Sequence, residues 1–150
     1  MLALIQRTTH SKVEVNRDNI AEIEYGITAF IGIEKNDTQS NARRLCERLL
    51  GYRIFSDKND KMNLSLRDID GSLLLVPQFT LVADTSKGMR PSFSTAAAPD
   101  FSKQLFEYFC DYCSGQYAKV LSGRFGADMQ VSLCNDGPVT FMLQVASDKD

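Results

Sequence analysis

The chain has 150 residues, of which 43% are hydrophobic and 24% are charged. This is enough for one hydrophobic core and argues against a disordered or fibrous protein, so we expect a single domain over residues 1–150. The formal net charge of -2 argues against a protein that coats nucleic acid through bulk positive charge. The net charge does not exclude a protein that binds one end of an RNA through a few local cations. The candidate cations are Lys87, Arg90, Lys119 and Arg124.

No segment is typical of export or membrane insertion. The apolar run in residues 1–7 is too short for a signal peptide and has no basic leader. The richest apolar run, residues 73–76, is interrupted at Pro77, well short of the roughly 20 residues that a helix needs to cross a bilayer. Reduced thiols are therefore expected for Cys46, Cys110, Cys113 and Cys134. We predict a cytoplasmic protein with no membrane partner.

The first third of the chain predicts short strands joined by turns. Apolar runs at residues 2–7 and 12–15 predict two strands, with His10 in a polar turn between them. A turn is expected at residues 16–19 and a third strand at residues 28–33. This region is therefore expected to form part of a β-sheet.

The middle of the chain predicts a helix, a buried strand and a long loop. Asp37 and Thr38 offer an N-cap, and the apolar spacing after them predicts a helix over about 38–50. Residues 53–56 read as a strand and residues 57–63 as a charged loop. The near-continuous apolar run at 71–79 predicts a strand buried on both faces, followed by a loop at 85–99.

A second helix is predicted from Asp100. Its apolar stripe should pack on a sheet and contains Phe101, Leu105, Tyr108, Phe109 and Tyr112. Three more strands are expected at 119–122, 129–134 and 139–145, with turns at 123–128 and 135–138. These elements predict a mixed α/β fold, with largely antiparallel β-sheets flanked by two main helices.

Residues of the usual catalytic types are sparse. His10 is the only histidine, and its predicted place in a turn argues against a Ser-His-Asp or Cys-His site. Cys110 and Cys113 form C-x-x-C deep inside the second helix, where two small, partly buried residues are the better interpretation than a redox or zinc pair. No metal-ligand cluster and no phosphate-binding Gly-rich loop is found, so neither a metal nor a nucleotide cofactor is expected.

Five short motifs, in order along the chain, carry a family resemblance. They are KMNLS at 61–65, PQFTL at 77–81, KGMRPSF at 87–93, GRFGADM at 123–129 and NDGPVT at 135–140. With these motifs in register, the chain resembles the D-aminoacyl-tRNA deacylases over nearly its whole length. The resemblance implies a homodimer that needs no cofactor, binds the 3′ end of aminoacyl-tRNA and hydrolyses the ester of D-aminoacyl-tRNA.

The resemblance also implies how such an enzyme would select D-amino acids. In that family the Gly-Pro corresponding to Gly137 and Pro138 is cis and enters the active site of the partner subunit. Its rigid carbonyls would accept hydrogen bonds from the substrate ammonium group, while an L side chain would collide with fixed backbone. Glycine, with no side chain, would also pass. Arg7 matches an arginine that would hold this turn by charge-assisted hydrogen bonds.

For hydrolysis, the candidates are the backbone N–H groups of Phe79 and Thr80, which would stabilise the oxyanion, with Gln78 hydrogen-bonding nearby. The resemblance implies that the 2′-hydroxyl of the terminal ribose assists. Thr80 is a poor candidate nucleophile because the sequence offers it no neighbouring base. The RNA contacts implied are phosphates for Lys87 and Arg90, and the terminal adenine for Phe93 or Phe125.

Pro77 departs from the family pattern, which usually has serine at this position. Proline has neither a hydroxyl nor an N–H, which excludes a serine nucleophile here. Pro77 also motivates the alternative of a catalytically impaired RNA-binding dimer with the same fold. An unrelated metal-dependent hydrolase is a third option, but the sequence has no ligand cluster that favours it.

Overall fold

The structure, a computed structural model, describes residues 1–147. It confirms a mixed α/β fold with two main helices and a largely antiparallel sheet. Neither helix in the described part of the chain is long and apolar enough to cross a membrane. The elements are β1 (Leu2–Val15), β2 (Asp18–Ile23), β3 (Gly26–Gly32), α1 (Gln39–Gly51), β4 (Phe55–Ser56), β5 (Met62–Leu64), β6 (Ser72–Pro77), a 3-10 helix (Phe79–Val82), α2 (Pro99–Gln116), β7 (Val120–Ser122) and β8 (Gln130–Gln144).

The main sheet has the strand order β2-β1-β3-β6-β7, with β8 also paired to β1. β1 pairs antiparallel with β2, β3 and β8, whereas β3–β6 and β6–β7 are parallel. The short strands β4 and β5 form a separate antiparallel pair. Because β3 and β6 run parallel, their carboxyl ends lie at the same edge of the sheet, where β6 ends at Pro77.

Two predicted turns lie inside long strands instead. His10 is a residue of β1 and pairs with Cys134, so the prediction of a turn there was wrong. Residues 135–138 likewise lie within β8, where the β1–β8 register shifts on either side of Thr8. Local polar composition favours a turn, but pairing with strands distant in sequence stabilises an extended chain and reduces the turn to an irregularity in the ladder.

Helix α1 begins as predicted, with Thr38 as its N-cap. The Thr38 hydroxyl accepts from the Asn41 amide at 3.4 Å, and the Asn41 side chain accepts from the Thr38 amide at 2.7 Å. This reciprocal pair satisfies amides that the helix leaves without a partner. Asp37 has a different role, because its buried carboxylate binds the amino group of Met1 and the amide of Glu34.

The buried face of helix α2 overlaps only partly with the predicted stripe, because Leu105 and Phe109 are buried and the other three predicted residues are not. Phe101 is 40% exposed, and Tyr108 and Tyr112 are only partly buried. The buried hydrophobic side chains of α2 are Leu105, Phe106, Phe109 and Cys113. Side-chain spacing alone did not distinguish these neighbouring stripes, and the packing against α1 and the sheet decides between them.

Strand β6 is buried on both faces, as its apolar run predicts. Leu73 and Leu75 pack in the larger core with the two helices, and Leu74 and Val76 pack in a smaller core with residues of β1 and β2. All four are at most 1% exposed. Burial of both faces holds this strand firmly, so the residues that follow it start from a rigid position.

Candidate active site

The chain turns sharply at the carboxyl end of β6. The Gln78 amide donates to the carbonyl of Ile31 in β3 at 2.8 Å, which is the last contact of the ladder. The 3-10 helix then begins at Phe79, whose side chain is 61% exposed, and Thr80 is exposed beside it. The Gln78 side chain donates to the Thr80 hydroxyl. Gln78, Phe79 and Thr80 are thus held together at an open edge.

The backbone amides of Phe79 and Thr80 lie at the start of the 3-10 helix. Within residues 1–147 neither amide donates to a backbone or side-chain acceptor, as is usual for the first residues of a helix. Two neighbouring donors on a rigid turn can bind an oxygen that develops negative charge. This arrangement can therefore stabilise an oxyanion without an ionisable side chain.

Pro77 fits its position without the loss of a backbone hydrogen bond. Along β6 the amide of Leu73 donates to Lys119 on the β7 side, and the amides of Ser72 and Gln78 donate to the β3 side. The nitrogen of Pro77 therefore faces the β7 side, where β7 has already ended at Ser122. Proline at a strand end with no ladder partner costs little.

A mostly apolar cleft of about 410 Å³ opens next to this turn. Pro77, Phe79, Phe125 and Met129 are among its lining residues. The ring of Phe93 packs on that of Phe79, with centroids 5.4 Å apart. The structure thus brings the predicted aromatic side chains to one place, and the cleft has the size and character of a small-molecule or nucleobase site.

Lys87 and Arg90 lie in an exposed loop that follows the 3-10 helix. The loop is closed by two hydrogen bonds between the backbones of Asp84 and Ser92, at 2.7 and 2.9 Å. Its other end is held by the Thr95 hydroxyl, which donates to the carbonyl of Val82 at 2.6 Å. Both cations therefore project from a loop whose base is anchored beside the cleft.

Arg7 binds the segment that contains Gly137 and Pro138, whose connecting peptide bond is cis. Its Nε donates to the carbonyl of Asp136 at 3.0 Å and lies 3.3 Å from the Asp136 carboxylate. A terminal nitrogen of the same guanidinium donates to the carbonyl of Ile54 at 2.9 Å. Gly137 and Pro138 themselves are exposed.

The side chain of Asn135 also holds this segment, through hydrogen bonds to residues that follow it in β8. Its side-chain oxygen accepts from the Val139 amide at 2.7 Å, and its side-chain nitrogen donates to the Thr140 hydroxyl at 2.9 Å. Gly137 has φ +141°, and a Cβ there would lie 2.6 Å from Cγ2 of Val139. Only glycine fits this backbone without strain. The segment is therefore rigid and presents its main chain to solvent.

The two groups of predicted site residues do not meet within one chain. Arg7 pairs with Ile27 of β3, whereas Gln78 binds Ile31 at the other end of the same strand. Four residues of extended chain separate these points by about 13 Å. β6 and β8 also lie on opposite sides of the β1–β3 pair. One protomer thus presents the strand-end turn and the Gly137–Pro138 segment as separate surfaces.

Other reactive side chains of the described region are not placed for catalysis. Burial raises the pKa of the Cys110 thiol to about 12, although the Ser122 hydroxyl beside it opposes the shift. Contact with Cys46, together with burial, raises the pKa of Cys113. Both shifts favour the neutral thiol, and both side chains are at least partly buried, which agrees with the interpretation of two small, partly buried residues. Within residues 1–147 no group of three or more histidine, cysteine or acidic side chains is arranged to hold a metal ion.

The family model for D-Tyr-tRNA(Tyr) deacylase matches residues 4–144 of this chain. The chain belongs to the D-Tyr-tRNA(Tyr) deacylase family. It is 57% identical to the D-aminoacyl-tRNA deacylase of Photorhabdus laumondii and 53% identical to that of Proteus mirabilis, in each case over 97% of this chain and 100% of the relative. The resemblance inferred from the five motifs is confirmed.

Two solved structures share the fold of this chain. A structure titled c-Myc DNA Unwinding Element Binding Protein has a TM-score of 0.92 and 33% identity, and covers 97% of this chain and 99% of that one. A probable eukaryotic D-amino acid tRNA deacylase has a TM-score of 0.83 and 19% identity, with 96% and 98% covered. The second likeness shows the shared fold.

Sequence reasoning missed several supporting residues of the family's motifs. Tyr25 donates from its hydroxyl to the Asp136 carboxylate at 3.2 Å, although these residues are far apart in sequence. Asn135 and Met129 lie inside motifs that were recognised, but their contacts with Val139 and the cleft were not foreseen. Lys119 was considered as an RNA contact, yet it is paired with Asp70 at 2.7 Å.

Proposed function

We propose that this protein is a D-aminoacyl-tRNA deacylase, which hydrolyses D-aminoacyl-tRNA to free D-amino acid and tRNA and rejects L-aminoacyl-tRNA. The observation that carries the proposal is the exposed Phe79–Thr80 backbone beside an aromatic cleft. Its relatives, similar over nearly the full length, are named for this activity. A cytoplasmic location follows from the substrate.

The active site is completed by a second copy of the chain. Gly137 and Pro138 are exposed and rigidly supported, but lie far from Phe79 and Thr80 in the same protomer. In a two-fold symmetric homodimer the segment of one subunit reaches the strand-end turn of its partner, and the reverse contact forms at the other site. Each dimer then has two equivalent active sites.

Chiral selection is made by main-chain atoms of the inserted segment. Carbonyl oxygens near Gly137 and Pro138 accept hydrogen bonds from the ammonium group of a D-aminoacyl ester. An L-amino acid held by the same contacts directs its side chain into fixed backbone and is rejected sterically. Glycine has no side chain to collide, so glycine attached to tRNA is also accepted.

Hydrolysis uses the backbone and the RNA itself. The amides of Phe79 and Thr80 hold the carbonyl oxygen of the ester, and their hydrogen bonds strengthen as negative charge develops in the transition state. The Gln78 side chain, through its bond to the Thr80 hydroxyl, keeps the turn in place. The 2′-hydroxyl of the terminal ribose assists attack by water. No protein side chain forms a covalent intermediate.

The apolar cleft receives the terminal adenine of the tRNA. Adenine has an apolar π-face that stacks on aromatic side chains, and Phe79 and Phe125 border the cleft, with Phe93 packed behind Phe79. Lys87 and Arg90, on the anchored loop next to it, contact phosphates of the acceptor end. The aromatic residues hold the ester at the turn, and the cations orient the RNA.

The proposed function is tested by comparing the hydrolysis of D- and L-aminoacyl-tRNA. The purified protein is incubated with D-tyrosyl-tRNA and with L-tyrosyl-tRNA, and release of tyrosine is followed for each. Hydrolysis of the D-ester with little effect on the L-ester is expected. Equal hydrolysis of both removes the chiral function. Tight tRNA binding with no hydrolysis of either supports instead the catalytically impaired RNA-binding dimer that Pro77 suggested.

A further inference from the structure

A second cleft, of about 690 Å³, adjoins the aromatic cleft. It lies between α2 and the segment from Ser122 to Phe125. Phe106 and Phe125 line both clefts, and their rings pack with centroids 6.2 Å apart. The two clefts are therefore neighbours on either side of this aromatic pair, so a ligand longer than one nucleotide could occupy both by passing around Phe125.

The second cleft has polar and charged walls, unlike the first. Arg124 and Lys103 provide positive charge, Glu107 and Asp111 provide carboxylates, and Ser122 also lines the cleft. Lys103 and Glu107 are only loosely paired, at 4.0 Å, and both are more than half exposed. Within residues 1–147 the Arg124 guanidinium has no carboxylate within 4.0 Å. Its charge is available to a ligand.

We propose that the second cleft binds the cytidylate that directly precedes the terminal adenosine of tRNA. This inference rests on the proposed function and extends it to the nucleotide next to the reactive one. The universal end sequence of tRNA places cytidine there, so a cleft that reads cytosine accepts every tRNA regardless of its amino acid.

The phosphate and the base of cytidylate each have a suitable partner among the residues that line the second cleft. Arg124 binds the phosphate that joins the two nucleotides, because a guanidinium makes paired, charge-assisted hydrogen bonds to phosphate oxygens. The exocyclic amino group of cytosine donates to a carboxylate of Glu107 or Asp111, a pairing that uracil cannot make because it has an oxygen at that position. One face of the base lies against Phe125.

The backbone holds Arg124 in a position that suits this role. The Gly123 amide donates to the carbonyl of Leu75 in the buried strand β6, at 2.8 Å. The Arg124 amide donates to the sulfur of Met129 at 3.4 Å, and Met129 lines the first cleft. The start of the segment that carries the cation is therefore fixed relative to the strand-end turn where the ester lies.

The experiment compares two minimal substrates that differ by one nucleotide. D-tyrosyl-adenosine fills the first cleft alone, and D-tyrosyl-cytidylyl-adenosine fills both. The ratio of their kcat/KM values is measured for the wild type, for Arg124→Ala, and for Lys119→Ala as a control that removes an exposed lysine held by Asp70. The wild-type ratio is expected to be about tenfold or more, to fall towards one in Arg124→Ala and to persist in Lys119→Ala.

A second comparison tests the base. D-tyrosyl-uridylyl-adenosine is expected to be the poorer substrate of the wild type, and Glu107→Gln with Asp111→Asn should weaken that preference, because amides can also donate to uracil. If turnover is too slow to measure, the same comparison is made with non-hydrolysable amide analogues of these substrates, and ratios of Kd replace ratios of kcat/KM.

The outcomes separate the inference from the function on which it rests. Hydrolysis of D-tyrosyl-adenosine with a ratio near one overturns the cytidylate site and leaves the deacylase intact. Equal loss of the ratio in Lys119→Ala also overturns it, because a general charge effect then explains the result. Neither hydrolysis nor binding of any D-substrate overturns both proposals.

Discussion

At the scale of single residues, the backbone amide of Phe79 is the group on which the proposed chemistry depends. Phe79→Pro removes this amide, and Gln78 before it, with φ -138° and ψ 80°, lies outside the helical region that a following proline disfavours. Phe79→Ala removes the same ring but keeps the amide. We expect kcat to fall by about 10²- to 10³-fold more in Phe79→Pro than in Phe79→Ala. Single-turnover hydrolysis of D-tyrosyl-tRNA measures the difference, and equal rates would exclude this amide.

Pro77 provides a complementary prediction. Its nitrogen faces the side of β6 where no strand continues, so restoring an N–H adds no ladder bond. Pro77→Ser also introduces a hydroxyl, which a nucleophilic mechanism would use and the backbone mechanism would not. We expect kcat/KM for D-tyrosyl-tRNA to change by less than about fivefold, which is under about 1 kcal/mol. A much larger gain in rate would point to a serine nucleophile.

Gly137 is the residue of the Gly137–Pro138 segment with the least tolerance for change. In Gly137→Ala the new Cβ would meet Cγ2 of Val139 at 2.6 Å in a backbone with φ +141°, so the segment must move. We expect discrimination between D- and L-tyrosyl-tRNA to fall at least about tenfold, because small displacements of positioning groups are costly. Gly115→Ala, where a Cβ meets nothing within 4 Å, is the matched control. Unchanged discrimination in Gly137→Ala would remove the segment from chiral selection.

At the scale of elements, the turn after β5 illustrates how a side chain replaces a missing backbone partner. The Asp68 carboxylate accepts from the Ser65 amide at 2.7 Å and from its hydroxyl at 2.9 Å. These hydrogen bonds, from the amide first, lower the pKa of Asp68 below its ordinary value. The ionised carboxylate is therefore more favourable in the folded than in the unfolded chain.

The lowered pKa of Asp68 makes the folded protein less stable as the pH falls. The stability from Asp68 is fully present above the unfolded pKa of about 3.9 and is lost as pH falls through the lower folded pKa. We expect Asp68→Asn to lower the urea midpoint at pH 7, with the difference from wild type shrinking below about pH 4. Asp128→Asn, an exposed aspartate with the same charge change, controls for net charge. A difference independent of pH would contradict this origin.

The long strands β1 and β8 have the greatest influence on the position of the site. Their pairing extends from Leu2 opposite Gln144 to Glu14 opposite Gln130, and is interrupted only around Thr8. That interruption leaves residues 136–139 of β8 without a partner in β1, and Arg7 and Asn135 bind their main chain instead. An irregularity in a ladder thus creates a rigid, outward-facing segment, a recognised use of bulges near functional sites.

At the scale of the whole molecule, the proposal requires that two chains share each active site. Phe79→Pro and Gly137→Ala damage opposite halves of that site, so homodimers of either variant are expected to be poorly active. After unfolding and refolding of a 1:1 mixture, half of the dimers contain one chain of each kind and one intact site. We expect the mixture to recover up to about a quarter of the wild-type activity per chain.

The controls for this mixing experiment are the separately refolded variants and their mixture without unfolding. Sedimentation of each sample reports whether dimers form. If dimers form but the refolded mixture is no more active than its components, each site is built from one chain and the shared-site proposal is wrong. Recovery that needs refolding supports subunit exchange as its cause.

The sequence determined the features that depend on neighbouring residues or on a repeated pattern. The Thr38 cap, the strand β6 that is buried on both faces and the motif at 77–81 were predicted from residues close together in the chain. The family resemblance also depended on short motifs in order, and it was confirmed. Local hydrogen bonding and side-chain period are sufficient for such features.

The tertiary structure decided the features that depend on partners distant in sequence. His10 and residues 135–138 are extended because β1 and β8 pair across more than a hundred residues, which overrides their local turn preference. The buried face of α2 and the two clefts depend on how α2 packs against α1 and the segment after β7. These features cannot be predicted from neighbouring residues, because they are stabilised by packing between elements that meet only when the chain is folded.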